Sequence, residues 1–527
     1  MPDPGPHPTR PRSAEQDFRD LAGGAAVVFI GKLGRGSRGA FIWVVTLLCG
    51  LDVVGLYSTA WGLVSTLNKV ARFGVPRGVV HFVNEARTRH PGDTGAVSRA
   101  LAAALALVLL ASGLVAIGVL LAADSVAAFY DKPMAGALRI LAWNTPFIAI
   151  SWVFTSATRA LRIMRYEVYV RSVAGPLVLL VGGAAVGLAG LGLEAVAWVQ
   201  VTMGACNCLL AVLFFRRHFR VRPVLRALGR GLSGGLPWRR MAAFNLPVTV
   251  TDLLFATITQ LDVLMLPWYV SARLVGLFVL ARRVSGAMLK APQAFDPIFS
   301  SVVSELSLQS RTEELGHRFV VISRWILTIN LPIFAALLII GDTLLPLLAG
   351  DDPETLVELQ AGLAVLVILC FSAMIQGAFA MAVPLLAMSG RPGLNLVNNV
   401  LWLGANFGLN LWLIGEYKLV GAAWGALAST VLVNTVRIGQ VYWLERVLPF
   451  GWAQLKPLIA AAAASVPALY VYSAIEGTAA RLTLPACAFL PVYGGALMLL
   501  GIEEEDRTLL RRLRRRLLCI VRPEPEA

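Results

Sequence analysis

Charge is scarce in this chain. Asp, Glu, Lys and Arg make up 15% of its 527 residues, and 57% are hydrophobic. Soluble domains carry about 25% charged residues, so a water-soluble globular fold is excluded. Histidine is scarce too, at five residues. Only His81 falls in an apolar stretch, so no histidine-based catalytic or metal constellation can be assembled. The six cysteines are Cys49, Cys206, Cys208, Cys370, Cys487 and Cys519. Cys206 and Cys208 have one residue between them, which suits neither a redox pair nor a zinc site. Long polar stretches are missing as well, which leaves no room for a soluble domain. A membrane glycosyltransferase or polymerase needs a sizeable outer loop with acidic or histidine catalysts. The longest outer loops expected here, 124–133 and 343–355, are short. Asp351, Asp352 and Glu354 in the second read as an acidic outer loop at a helix start. An enzyme is therefore not expected, and no cofactor or metal is.

Apolar blocks are abundant. A span needs roughly 20 apolar residues to cross the hydrocarbon. Fourteen stretches qualify, at about 22–50, 53–82, 97–123, 134–158, 168–190, 193–215, 241–267, 272–302, 319–343, 356–388, 394–415, 418–442, 457–476 and 481–501. The fold class expected is an all-α integral membrane protein. Residues 1–20 are polar and Pro-rich and read as a disordered cytoplasmic arm.

The cations set the orientation, because Lys and Arg near span ends gather on the cytoplasmic side. Alternate loops give two unequal sets. One holds clusters such as Arg87, Arg89 and Arg99, then Arg159, Arg162, Arg165 and Arg171, the arginines of 216–240 and those of the C-terminal tail. The other holds Lys132, Arg273, Lys418 and Arg481. Both termini are expected in the cytoplasm, in a multi-pass protein of a bacterial inner membrane. The net charge of +15 is then mostly a topology signal, and no nucleic-acid partner is implied. The tail alternates leucine with arginine, a pattern that suits a basic helix on an anionic leaflet.

An internal repeat is visible. Residues 53–85 laid over 274–306 without gaps match Val54, Gly55, Leu56, Ala60, Lys69 and Pro76 to Val275, Gly276, Leu277, Ala281, Lys290 and Pro297. The two copies are separated by an even number of spans, so they cross in the same direction. A parallel pseudo-two-fold repeat follows. It comprises an N-lobe at 21–215 and a C-lobe at 241–442, joined by a basic linker at 216–240. Two extra spans lie in 443–501, followed by a basic tail at 502–527.

Some cations fall inside the spans. Arg77, Arg139, Arg324 and Arg437 lie near span ends and are expected to snorkel to the interface. Lys32, Arg35, Arg38, Lys69, Arg72, Arg282, Arg283 and Lys290 lie deeper. Each would cost about 2.5–3.5 kcal/mol at a helix centre facing lipid, so they must face protein or water. Intramembrane acids are fewer, with Asp252, Asp262 and Asp296 the clear ones. The expectation is a water-filled cavity with excess positive charge, which suits a large anion such as a lipid-linked sugar diphosphate. Asp252 and Asp262 are candidates for ion pairing or for coupling to a proton or sodium ion. A drug or cation exporter would have the same architecture but would want carboxylates in the cavity.

The stretches "VGLYSTAWGLVSTLNKVARFGVPRGVVHFV", "QLDVLMLPWYVSARLVGLFVLARR" and "FDPIFSSVVSEL" resemble oligosaccharide flippases of the polysaccharide-biosynthesis type. These belong to the superfamily that also holds lipid II flippases and multidrug exporters. Asp262, Met265, Gly276, Phe278, Ala281 and Arg283 fit the family's ordered pattern. Many relatives end span 1 with an arginine where this chain has "LLCGLD", so Arg35 or Arg38 would take that role. The resemblance implies alternating access of two lobes. It implies transfer of a lipid-linked oligosaccharide to the outer leaflet, with membrane lipids and the polysaccharide polymerase or export machinery as partners.

Overall fold

The computed structural model describes residues 39–91, 93–229, 237–308, 311–350, 355–501 and 503. Lys32, Arg35, Arg38, the acidic loop 351–354 and the tail from 504 lie outside the described residues. The regular structure of the described residues is helical, with no strand among them. This is what an apolar solvent dictates, since a helix satisfies its backbone groups within one segment.

In chain order the helices are α1 (Gly39–Cys49), α2 (Leu51–Arg72), α3 (Val75–Arg89), α4 (Thr94–Tyr130), α5 (Ala135–Ala160), α6 (Arg165–Leu188), α7 (Leu193–Arg216), α8 (Val221–Gly229) and α9 (Trp238–Met265). There follow α10 (Ala272–Ser285), α11 (Lys290–Leu308), α12 (Thr312–Ala349), α13 (Thr355–Ala378), α14 (Ala382–Met388), α15 (Pro392–Glu445), α16 (Leu455–Ala474) and α17 (Thr478–Leu499). Ten stretches among the described residues are long and apolar enough to cross a membrane. The protein is a multi-pass membrane protein. The longest helix, α15, is interrupted at Lys418, whose φ of 51° breaks it where two expected spans meet.

Two expected spans are broken. The one at 53–82 stops at Arg72, and the chain passes through Phe73 and Gly74, both with positive φ, before α3 begins. Pro76 suits that restart, because the missing N–H falls in the first helical turn. The one at 272–302 passes through a 3-10 turn at Gly286–Leu289 before α11. The breaks do not occupy equivalent places in the repeat. Pro76 opens a helix, whereas its counterpart Pro297 lies inside α11.

The expected outer loop at 124–133 is mostly helix, since α4 runs to Tyr130 and Asp131 ends it with a φ of 50°. The start of α4 is capped by Asp93, whose carboxylate accepts from the Gly95 N–H at 2.7 Å. That backbone donor holds the Asp93 carboxyl below its ordinary range. The loop expected at 343–355 is likewise shortened by α12, which reaches Ala349.

The chain divides into two compact units. One holds residues up to Cys49 together with Thr59–Ala256; the other holds Gly50–Ser58 and everything from Thr257. The division by compactness falls within α9. The reason is packing: Val224 of α8 and Met241 of α9 are buried in the N-terminal core beside Phe154 and Phe215. A second N-terminal cluster gathers Val64, Met134, Leu138 and Leu141. The C-terminal unit has one core around Phe299, Phe319 and Leu385. Another is built on alanines of α16 with Phe489 and Tyr493 of α17.

Candidate functional site

Within the N-terminal unit, cationic side chains collect around one indole ring. Arg72, at the end of α2, places its guanidinium carbon 5.0 Å from the centre of the Trp152 ring of α5. Arg171, on α6, stacks on the same ring at 3.4 Å. Arg171 also donates to the hydroxyls of Ser151 and Thr155, each at 3.4 Å. The Arg72 Nε donates to the carbonyl of Asn68, one turn back, at 3.1 Å. Lys69 and Arg72 share a stretch of α2, and both are half-buried. Asp252 of α9 is close enough to act electrostatically on both, and lies 3.5 Å from Arg77. Of the pair proposed from sequence, Asp252 is therefore placed beside cations, with 37% of its side chain exposed.

Arg171 is a residue that sequence reading missed, because it was grouped with the loop cations Arg159, Arg162 and Arg165. The chain is already helical there. Tyr169–Ala174 forms a π-helical segment within α6, and such widened turns often occur at functional sites. The only sequence signal was that residue 171 already lay past the apolar start at 168. Nearby, Arg159 donates to the Pro76 carbonyl at 2.6 Å and meets Glu167 at 3.4 Å. Those contacts tie the end of α5 to the starts of α3 and α6.

In the C-terminal unit the expected cations separate. Arg282 is half-buried and donates to the carbonyl of Thr259 on α9. Arg283 and Lys290 are exposed, each with further contacts of its own.

Asp262 is 6% exposed and accepts a hydrogen bond from the Asn410 amide at 2.8 Å. Asn410 also donates to Asn406 at 3.0 Å, and Asn406 donates to Ser429 at 3.0 Å. The two arms of α15 thus pair through polar side chains. Asn398 and Gln440 exchange hydrogen bonds at 2.7 and 2.9 Å. Arg437 donates to Asn399 at 3.0 Å and lies over the Trp402 ring. Snorkelling was expected of Arg437 and Arg324, and both are instead 5% exposed. Partners make the difference: Asn399 for the first, and Glu503 at 3.8 Å for the second. Arg77 and Arg139 do have exposed side chains, at 61% and 52%.

The family model described as "Polysaccharide biosynthesis protein" matches residues 52–358, more than half of the chain. The chain belongs to this family. The match spans α2 to the start of α13 and so includes Lys69, Arg72, Arg171, Arg282, Arg283 and Lys290. No curated protein matches the chain. Among solved structures, the polysaccharide biosynthesis protein described here is similar to "Lipid II flippase MurJ, inward closed conformation". That match has a TM-score of 0.68 and 13% identity over 89% of this chain and 97% of that one. It is similar to an inward-facing multidrug resistance MATE family transporter of the MOP superfamily, with a TM-score of 0.66 and 15% identity over 79% and 96%. The MATE multidrug transporter DinF-BH gives 0.59 and 16% over 85% and 100%. At such identities the likeness shows the fold.

Proposed function

We propose that this protein moves a lipid-linked, polyprenyl-diphosphate oligosaccharide from the cytoplasmic to the outer leaflet of the bacterial inner membrane. It does so by alternating access and supplies cell-surface polysaccharide assembly. It acts by moving its substrate and does no chemistry on it. Both termini lie in the cytoplasm, and the polymerase or export machinery takes the product.

The observation that carries this reading is the pair of half-buried cations on α2, a helix read from sequence as part of a span, in a polysaccharide-biosynthesis family member. Lys69 and Arg72 are costly there, and an anionic substrate would join Asp252 in offsetting that cost. Charge-assisted hydrogen bonds to phosphate are the strong kind, and the guanidinium fork matches phosphate geometry. Lys32, Arg35, Arg38, Arg282, Arg283 and Lys290 complete the proposed substrate-binding set. Asp262, held by Asn410, is proposed as the site of the coupling proton or sodium ion.

The rival is export of a drug or organic cation. The likeness to MATE transporters favours it, and buried Asp262 is the carboxylate it would use. The deciding experiment measures export of lipid-linked oligosaccharide in cells carrying R35A, R72A or R283A at matched protein levels. Export should be lost in each, with partial recovery in the Arg-to-Lys variants. Parental export by most alanine variants would overturn the reading, and drug efflux that depends on Asp262 would favour the rival.

A further inference from the structure

We propose that Glu194 and Trp198, one turn apart on α7, form a binding site for the primary ammonium headgroup of a phospholipid, contained within the N-terminal unit. The site uses none of the cations assigned to transport. It rests on the flippase reading only for the side of the membrane on which it opens.

A cavity of about 510 Å³ lies where the starts of α5 and α7 meet. Pro133 and Ala137 line it from α5 and the turn before it; Leu191, Leu193, Glu194 and Trp198 line it from α7 and the turn before that helix. The volume falls in the range of sites that take small molecules. Residues four apart share one face of a helix, so the carboxylate and the indole meet the cavity together.

Both groups are unengaged. Among the described residues, the Glu194 carboxylate and the Trp198 ring make no hydrogen bond, ion pair or ring contact. Arg139, the cation of α5 nearest in sequence to the cavity, is taken by Asp124 at 2.6 Å. The carboxylate leans across to α5, where a Cβ on Gly136 would clash with it. A glycine there leaves the acid its place. An acid in a first helical turn complements the helix dipole, and a tryptophan at a span end suits the membrane interface. Neither preference accounts for the two groups lining one cavity without partners.

The pair selects the ligand. An indole face attracts a cation, as a carboxylate does, so one cationic group satisfies both. A primary ammonium also donates charge-assisted hydrogen bonds to the carboxylate, which a quaternary amine cannot. A neutral sugar hydroxyl could donate too, but it would leave the charge of Glu194 without a counter-charge. The rest of the lining named here is apolar. Beside the cavity, Leu188 at the end of α6 is 80% exposed and Leu191 is exposed as well, an apolar surface that acyl chains would cover. The ligand is therefore an amphiphile with an ammonium head. Arg159, Arg162, Arg165 and Arg216 lie at the opposite ends of α5, α6 and α7, so the cavity opens at the ends read as outer by charge. An aminophospholipid of the outer leaflet meets each of these conditions.

The test uses the purified full-length protein in detergent, stripped of native lipid. The probe is an equimolar mixture of phosphatidylethanolamine and its N-acetylated form, and native mass spectrometry reads the ratio retained. Acetylation removes the ammonium and keeps the chains. The parent should favour phosphatidylethanolamine by about fivefold, the scale of a cation held by an indole and a carboxylate. E194Q should bring the ratio close to one, and W198L should lower it by about half. G136A keeps the carboxylate but displaces it, and should lower the ratio too. Melting temperatures identify any variant that fails to fold; E194Q, at an exposed position, then carries the comparison. A ratio near one in the parent, or a parental ratio in E194Q, would overturn the proposal. Displacement of the lipid by phosphoethanolamine at equal concentration would overturn the phospholipid assignment, and so would tighter binding of tetraphenylphosphonium that depends on Glu194. A ratio near one in a protein whose cells export oligosaccharide normally would remove the site and keep the flippase reading. The expected ratios in a protein whose cells show no such export would keep the site and remove that reading.

Discussion

Gly55 and Gly276 meet backbone to backbone within the C-terminal unit. A Cβ on Gly55 would stand 1.8 Å from the carbonyl oxygen of Ala272, and one on Gly276 would stand 2.3 Å from that of Leu51. The contact is reciprocal in the register of the repeat, because Gly55 falls on Gly276 and Leu51 falls on Ala272. The duplicated segments therefore cross at their own matching glycines, where small residues let membrane helices approach. An alanine at either position must move backbone, so G55A and G276A should each destabilise the protein by about 1–3 kcal/mol, the range for overpacking. G408A, with nothing within 4 Å of its added carbon, should stay within about 0.5 kcal/mol. Thermal melts of the detergent-purified variants compare the three. Equal melting temperatures would remove the crossing as a structural constraint.

The helices and their apolar stretches were legible because lipid imposes length and composition on each segment separately. The interruption at Lys418 was legible for the same reason, since a hydrophilic residue separates two apolar runs. The break at Phe73–Gly74 was not. Asn245 lies against it: its carbonyl oxygen would be 2.6 Å from a Cβ on Gly74, and its side-chain oxygen would clash with one on Gly78. No local pattern reveals a partner so distant in sequence. The same holds for the buried arginines. Arg437 was placed at a span end from its position, but Asn399 and Trp402 on the other arm of α15 decide its environment. Arg171 escaped notice because a charge count by loops cannot register a π-helical turn. The cations of α2 and α10 were found because charge in an apolar run is conspicuous; their distribution between the units was not encoded in that signal.

The pairing of Arg437 with Asn399 predicts a measurable coupling. The two lie on opposite arms of α15, and Arg437 is 5% exposed. Hydrogen bonds to charged groups contribute about 1.5–3 kcal/mol. N399A and R437A should each lower stability by about 2 kcal/mol, and the double variant should lose less than the sum. A double-mutant cycle on melting free energies checks this, and strict additivity would deny the interaction.

Asp262 supports a prediction of a different kind. D262N can still accept from Asn410, so its melting temperature should stay near that of the parent. It removes the charge that a proton or sodium ion would meet, so export driven by an ion gradient should fall at least tenfold. D262A should lose stability as well, by about 1–3 kcal/mol, because Asn410 is left with an unsatisfied buried donor. Parental export in D262N would remove the coupling role and leave Asp262 a structural acceptor.

Orientation has its own test. In a cysteine-free background, a cysteine at Leu225, which is exposed on α8, should react with a membrane-impermeant maleimide only from the cytoplasmic side. One at Asp352 should react only from outside. Labelling of both from one side of intact cells would contradict the topology assigned from the cations.

The last prediction concerns where the C-terminal tail begins to matter. Glu503 receives Lys456 at 2.5 Å, at the start of α16, and lies 3.8 Å from buried Arg324 of α12. One carboxylate thus joins two helices of the C-terminal unit to the residue that follows α17. Removing one partner of a fully buried ion pair costs about 3–5 kcal/mol. The Glu503 side chain is 36% exposed, and exposed pairs contribute only about 0–1 kcal/mol, so about 1 kcal/mol is expected here. Truncation after residue 506 keeps this contact and removes only the leucine–arginine segment. That variant should fold and transport like the parent, with weaker adherence to anionic leaflets. Truncation after residue 502 removes the carboxylate and should lower the melting temperature by an amount that E503Q largely reproduces. Loss of transport in the longer, stably expressed truncation would give the basic segment a direct part in transport. Equal melting temperatures for both truncations would show that Glu503 holds nothing in place.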